Sequence, residues 1–217
     1  LDPGAYVGNG RYRILSLLGE GGMGKVYEAT DEQMELPVAL KVLNAELISH
    51  PTAKQRMIQE ARAQRRINHP NVVRCFDFFE ESNNLILVLE LVTGGELAAQ
   101  IPAKGMAEKK AIGIFGKILE GLGAIHAADL VHRDIKPANI LMDQNGEPKV
   151  TDLGVAQDQS RRGITRLGAS LGTPGYMSPE QHKGESIDYR CDIYSAGVML
   201  FEMLTNTLPF NAESDVD

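Results

Sequence analysis

A chain of 217 residues is the length of one large domain or two small ones. Hydrophobic residues make up 43% of it and charged residues 24%, which is the balance of a folded globular protein and excludes a disordered, collagen-like or coiled-coil chain. The 22 basic against 29 acidic residues give a formal net charge of -7, which argues against a broad phosphate-binding face and so against a nucleic-acid partner.

In chain order, Tyr12–Leu18, Lys25–Ala29 and Pro37–Leu43 read as short strands broken by glycine-rich and acidic turns. A helix is predicted from about Thr52 to Ile67, with Ala53, Met57, Ala61 and Gln64 on one face. Val72–Phe78 and Leu85–Leu91 are two further strands around the polar turn Glu80–Asn84. After Thr93-Gly94-Gly95 the pattern becomes helical. Ile114, Ile118, Leu122 and Ile125 keep helical spacing through Ala111–Ala127, despite glycines at 113, 116, 121 and 123 that each cost roughly 1 kcal/mol against alanine. Ile193–Leu204 is apolar nearly all round, the pattern of a buried helix. The elements divide into a strand-rich lobe over residues 1–92 and a helical lobe over residues 93–217. The longest apolar runs, Leu85–Leu89 and Gly197–Phe201, fall well short of the roughly 20 residues that span a bilayer, so no membrane segment is expected in this chain. Cys75 and Cys191 form no C-x-x-C pair, which points away from a disulfide scaffold and toward a reducing, cytoplasmic setting.

The segment Gly19-Glu20-Gly21-Gly22-Met23-Gly24-Lys25-Val26 fits three phosphate-loop patterns loosely. A dinucleotide fingerprint needs a helix after its last glycine, and a Walker A loop needs Ser or Thr after its lysine; here a strand-like run follows and the residue is Val26. A glycine-rich hairpin over a nucleotide's phosphates remains, and on this segment alone a purely structural hairpin is equally open. Val38-Ala39-Leu40-Lys41 ends an apolar strand in a lysine, which either snorkels to solvent or holds phosphates with a carboxylate such as Glu60 from the next helix.

The deciding stretch is His132-Arg133-Asp134-Ile135-Lys136-Pro137-Ala138-Asn139-Ile140-Leu141, followed by Asp152-Leu153-Gly154, by Gly172-Thr173-Pro174-Gly175-Tyr176-Met177-Ser178-Pro179-Glu180 and by Asp192-Ile193-Tyr194-Ser195-Ala196-Gly197. With these motifs in this order the chain resembles a protein kinase, specifically a bacterial serine/threonine kinase of the eukaryotic-like type. The resemblance implies an α+β, bilobal fold: an antiparallel-sheet N-lobe with one main helix, and a helical C-lobe that lacks its last helices. ATP is the implied nucleotide, bound in the cleft between lobes, with Mg2+ or Mn2+ as the metal.

By the same resemblance Asp134 accepts or orients the substrate hydroxyl's proton, Lys136 places a cation near the transferring phosphoryl group, and Asn139 and Asp152 hold the metal. Lys41 and Glu60 form the ion pair of a competent N-lobe. Leu18, Gly19, Glu20, Gly21, Gly22, Met23, Gly24, Lys25 and Val26 cover the nucleotide. Ala39 and Leu141 join Val26 around the adenine, and Leu89, Glu90 and Val92 form the hinge beside it. Lys136 and Thr173 match serine/threonine rather than tyrosine enzymes, so the implied partners are proteins with Ser or Thr acceptors. Thr165 and then Ser170 are the expected autophosphorylation sites. Three departures stand out: Leu153 for the usual Phe, Ser178 for the usual Ala, and polar Gln64 four residues after Glu60, where the family places an apolar side chain. The alternatives are a truncated or non-catalytic fragment that binds nucleotide or partners, and a small-molecule phosphotransferase, against which Gly172–Glu180 speaks. The apolar 193–204 helix, without further helices to cover it, also predicts self-association through the short C-lobe.

Overall fold

A computed structural model describes residues 1–21, 24–43, 51–153 and 173–210, without the side chains of 51–53 and 56. The chain divides into two compact units: Leu1–Asn68 with Val73–Leu91, and His69–Val72 with the chain from Val92 onward.

The first unit is built on one antiparallel sheet, formed by β1 (Tyr6–Val7), β2 (Tyr12–Gly21), β3 (Gly24–Asp31), β4 (Leu36–Leu43), β5 (Cys75–Glu81) and β6 (Asn84–Glu90), in the order β1-β2-β3-β4-β6-β5. Its register sorts the side chains. Leu40 pairs with Tyr27 on one side and Val88 on the other, and Val38 pairs with Ala29. Directly opposed residues share a face, so Tyr27, Ala29, Val38, Leu40, Ile86 and Val88 all point one way. They form the core with Val7, Tyr12 and Ile14. The residues between them, Val26, Ala39, Lys41, Leu87 and Leu89, occupy the opposite face. The helix α1 (Pro51–Arg66) packs on β5. Met57, Ala61 and Gln64 are buried along it, and Arg65 and Arg66 in its last turn complement the helix dipole.

The second unit holds α2 (Glu108–His126), the hairpin β7 (Ile140–Met142) and β8 (Pro148–Val150), the short α3 (Pro179–Lys183) and α4 (Arg190–Thr205). His69–Val72 belongs here because Asn71, itself buried, ties it to β8. Its side-chain amide donates to the Pro148 carbonyl at 2.8 Å, and its own carbonyl accepts from the Val150 N–H at 2.9 Å. Gly121 of α2 is required at this junction: a Cβ there would lie 2.6 Å from the Asn71 carbonyl oxygen. Ala111, Ile114, Ile118, Leu122 and Ile125 line the buried side of α2, which packs on α4 and β8.

Helix α4 is not buried all round. Cys191, Asp192, Ser195, Ala196, Val198, Met199 and Met203 are enclosed, whereas Ile193 is 50% and Phe201 42% exposed, with exposed Gly197 between them. Positions spaced by four fall on one stripe, and no described element covers this one. Among the described residues no helix is long and apolar enough to cross a membrane.

Candidate active site

The loop between α2 and β7 is fixed by a single carboxylate at the start of α4. Asp192 is fully buried and accepts the backbone N–H groups of His132 at 2.9 Å and Arg133 at 2.7 Å. His126, at the end of α2, bonds the same carboxylate at 2.8 Å. Burial pushes the Asp192 carboxyl up, but the His126 hydrogen bond, the nearby His132 ring and the two backbone donors prevail and hold it below its usual range. The buried His132 ring bonds the Thr151 carbonyl at 2.7 Å, and the Gln181 side-chain amide donates to the Arg133 carbonyl at 2.9 Å. Held from both sides, Arg133 adopts φ +70°, a left-handed conformation uncommon for a bulky residue and one that local contacts must enforce.

This backbone presents Asp134, whose carboxylate is almost encircled. The Asn139 amide donates to it at 2.9 Å and also to the Asp134 carbonyl at 2.6 Å. Lys136 Nζ lies 3.0 Å from Oδ2, and the Thr173 N–H donates to Oδ1 at 3.2 Å. Lys136 Nζ also donates to the Thr173 hydroxyl at 2.6 Å, which closes a ring of Asp134, Lys136 and Thr173. Asp134 and Lys136 keep side-chain exposures of 13% and 22%, so the group is ordered yet reachable. Asn139 ends a 3-10 turn begun by Pro137, and its carbonyl accepts the Thr151 N–H at 3.0 Å. That bond brings Asn139 beside Asp152, which also takes a left-handed φ of +60°.

In the first unit, Lys41 is only 6% exposed and does not reach out to solvent as a strand-end lysine does. It shares the non-core face of the sheet with Val26, Ala39 and Leu89. Glu60 is half-buried on α1. The glycine-rich segment is a β2–β3 hairpin, so neither phosphate-loop pattern that requires a following helix applies. Leu18, Gly19, Glu20 and Gly21 are exposed at its tip, and Glu20 pairs with Lys25 at 3.2 Å. Gly24 is buried at φ +144°, and a Cβ there would lie 2.0 Å from the Val42 carbonyl oxygen, so no other residue fits. Glu90 closes β6, its N–H donating to the Arg74 carbonyl at 2.9 Å. Val92 opens the second unit, where Leu141 sits half-buried on β7. Gly22, Met23, Thr165 and Ser170 lie outside the described residues.

The profile of the protein kinase domain matches residues 12–217. The chain belongs to the protein kinase domain family. It is 40% identical over 209 residues to the serine/threonine-protein kinase PrkC of Bacillus subtilis (strain 168), covering 96% of this chain and 32% of that protein. With the serine/threonine-protein kinase pkn3 of Myxococcus xanthus the identity is 39% over 228 residues, covering 99% of this chain and 42% of the relative. For PknE of Mycobacterium tuberculosis it is 39% over 205 residues, at 94% and 36%. The chain thus spans between about a third and two-fifths of the length of these kinases.

The geometry around Asp134 also depends on residues that motif reading passed over. Asp192 was legible only as part of a six-residue match; the signal for its role is a carboxylate opening an otherwise apolar helix, which burial forces to find donors. Gln181 and His126 carry no local signal at all. Among the departures, Leu153 is buried as an apolar side chain, and Ser178 is buried with its N–H donating to the Gln181 side chain at 3.0 Å while its Oγ has no hydrogen-bond partner among the described residues. Gln64 is 4% exposed and its Oε1 has no hydrogen-bond partner among the described residues. Cys191 offers no rival nucleophile: burial, with the Asp192 carboxylate beside it, pushes its thiol up to about 12.

Proposed function

We propose that this domain transfers the γ-phosphoryl group of ATP to serine or threonine hydroxyls of proteins. The observation that carries the reading is the closed ring of Asp134, Lys136 and Thr173 with Asn139 bonded to its carboxylate. Phosphoryl transfer needs positioning and charge neutralisation more than covalent help. The acceptor oxygen attacks the γ-phosphorus, the bond to the bridging β–γ oxygen breaks, ADP departs, and the hydroxyl proton passes to Asp134. Lys136, anchored on Asp134 and Thr173, sets its positive charge where the transferring oxygens collect negative charge. Thr173 tethers the substrate-binding segment to the catalytic carboxylate, which suits short Ser and Thr side chains.

The residues present fit a magnesium or manganese ion. The Asn139 amide nitrogen is committed to Asp134, which leaves its amide oxygen as the donor, and Asp152 supplies a carboxylate next to it. Oxygen donors of this kind suit a hard cation, which when bound neutralises the β- and γ-phosphates. On the first unit, Val26, Ala39 and Leu89 offer an apolar face for the adenine, and Lys41 on that face is assigned to the phosphates with Glu60 as its partner. The Glu90 N–H is committed to Arg74, so the adenine meets Glu90 through its carbonyl and Val92 through its backbone. Thr165 and Ser170 are the assigned autophosphorylation sites, with Arg133 receiving the phosphate. The free, buried Cys75 and Cys191 support a cytoplasmic location, and the exposed stripe on α4 supports self-association of this 217-residue form.

Asp134→Asn tests the assignment. Nucleotide affinity should persist while phosphotransfer to a protein substrate falls by about a thousandfold, because the change acts on the chemical step. Equal turnover by the two proteins would remove Asp134 from the mechanism.

A further inference from the structure

The first half of α2 and the β7–β8 turn form an open groove of about 250 Å³, lined by Lys109, Lys110, Gly113, Ile114, Lys117, Gly146 and Pro148. None of these residues takes part in the site above. Three lysines converge on one hollow in a chain whose net charge is -7.

Ordinary helix design does not account for them. Lys109 and Lys110 stand in the first turn of α2, the end where the helix dipole disfavours cations. Positions three and four residues away from them hold Gly105, Met106, Ala107, Ile112, Gly113 and Ile114, so neither lysine has an acidic helical neighbour. Both are exposed, and neither forms an ion pair among the described residues. The carboxylates nearby are Glu108 and Glu120 on α2 and Glu147 in the turn, and Glu147 is already paired with Lys117. Gly113 and Gly116 open the same face, and a Cβ at either would meet nothing within 4 Å. Each destabilises the helix relative to alanine with no internal contact that requires it, unlike Gly121. The helix therefore gives up local stability twice, in charge placement and in glycine content, along one basic groove.

We propose that this groove docks an acidic segment of the kinase's protein substrates. Charge complementarity selects the occupant: Lys109 and Lys110 supply cations without an ion-pair partner among the described residues, Ile114 and Pro148 supply an apolar floor, and the bare glycines let an extended backbone approach. The proposal rests on the protein-kinase reading only for the identity of the partner as a substrate. An exposed ion pair is worth up to about fivefold in affinity, so reversing two lysines should cost about tenfold or more.

The test uses the full chain and the double variant Lys109→Glu/Lys110→Glu, both positions being exposed and so safe for folding. In fluorescence anisotropy, a labelled peptide alternating glutamate and alanine should bind wild type about tenfold more tightly than its glutamine counterpart. That preference should vanish in the variant and weaken with salt. With dephosphorylated casein as an acidic protein substrate, the variant should raise KM about tenfold while leaving kcat, and the KM for a short neutral serine peptide, unchanged. Equal binding of the two peptides, or an undiminished preference in the variant, would overturn the proposal. So would displacement of the peptide by RNA or anionic vesicles at lower charge concentration, which would make the groove a general polyanion surface. Absence of phosphotransfer in both proteins would count against the kinase reading alone, and the anisotropy result would still decide the groove.

Discussion

Replacing Asp192 by Asn probes how a distant carboxylate governs the loop between α2 and β7. One Asp192 oxygen accepts from the Arg133 N–H at 2.7 Å, and the other accepts from the His132 N–H at 2.9 Å and contacts His126 at 2.8 Å. An amide keeps one acceptor oxygen and turns its NH2 toward at least one buried donor. A hydrogen bond to a charged group is worth about 1.5–3 kcal/mol, and the surviving bonds weaken to the neutral value of about 1 kcal/mol. The variant should therefore lose about 3 kcal/mol. For a chain of this size that lowers Tm by about 6–12 °C. Arg133, freed from the bond that enforces φ +70°, should relax and carry Asp134 with it, so kcat should fall about 10- to 100-fold with little change in the KM for ATP. The pH dependence has a definite sign. The Asp192 carboxyl is depressed in the folded protein, so its contribution is full above the ordinary value of 3.8 and is lost as pH falls through the lower folded value. The Tm gap between wild type and variant should accordingly be constant near neutrality and close in strong acid. A calorimetric Tm within about 2 °C of wild type, together with an unchanged kcat, would show that the carboxylate does not hold the loop.

Gly24→Ala should destabilise the chain by about 2–4 kcal/mol in urea titration, because its φ of +144° and the Val42 carbonyl both reject a Cβ; Gly19→Ala, with nothing within 4 Å, should stay within about 1 kcal/mol. Gln64→Met should raise stability by about 1–2 kcal/mol by removing a buried acceptor that has no partner among the described residues, and an equal or lower urea midpoint would mean that the amide has a partner. Light scattering at micromolar concentration should find the 217-residue form associated, with Ile193→Lys/Phe201→Lys shifting it to a monomer; a monomer in both cases would remove the exposed stripe as the cause. After incubation with ATP, mass spectrometry should place phosphate on Thr165 or Ser170, and phosphate confined to residues outside 156–173 would refute those sites.

Local pattern made the sheet and the long helices readable. Val38-Ala39-Leu40 is a short apolar run of the kind a strand buried on both faces gives, and Ile114, Ile118, Leu122 and Ile125 outweigh four glycines in α2 because their burial against α4 and β8 exceeds the propensity cost. The two-residue β1 and the three-residue β7 and β8 were not readable, since runs so short carry no period. Asp134, Lys136, Asn139 and Thr173 could be named from their motifs, but the bonds that join them could not. The 59 residues between Arg133 and Asp192 hide the anchor of the loop, because long-range pairing leaves no trace in spacing. The basic groove was hidden for the same reason: Lys117 meets Glu147 only once the β7–β8 turn folds back onto α2.

The alternation along β4 also bears on which changes of length the chain can absorb. Leu40 and Lys41 are neighbours in sequence yet face opposite sides of the sheet. One residue inserted between Leu36 and Val38 would move the ammonium onto the core face, opposite Lys25 and Ile86, and send the leucine to the other face beside Val26 and Leu87. Insertions in the turn at residues 32–35 carry no such exchange, because the strand can keep its pairing and let the added residue bulge outward. Length variation in this lobe should therefore be confined to its turns, and a deletion scan scored for both solubility and nucleotide binding should lose the two together at β4.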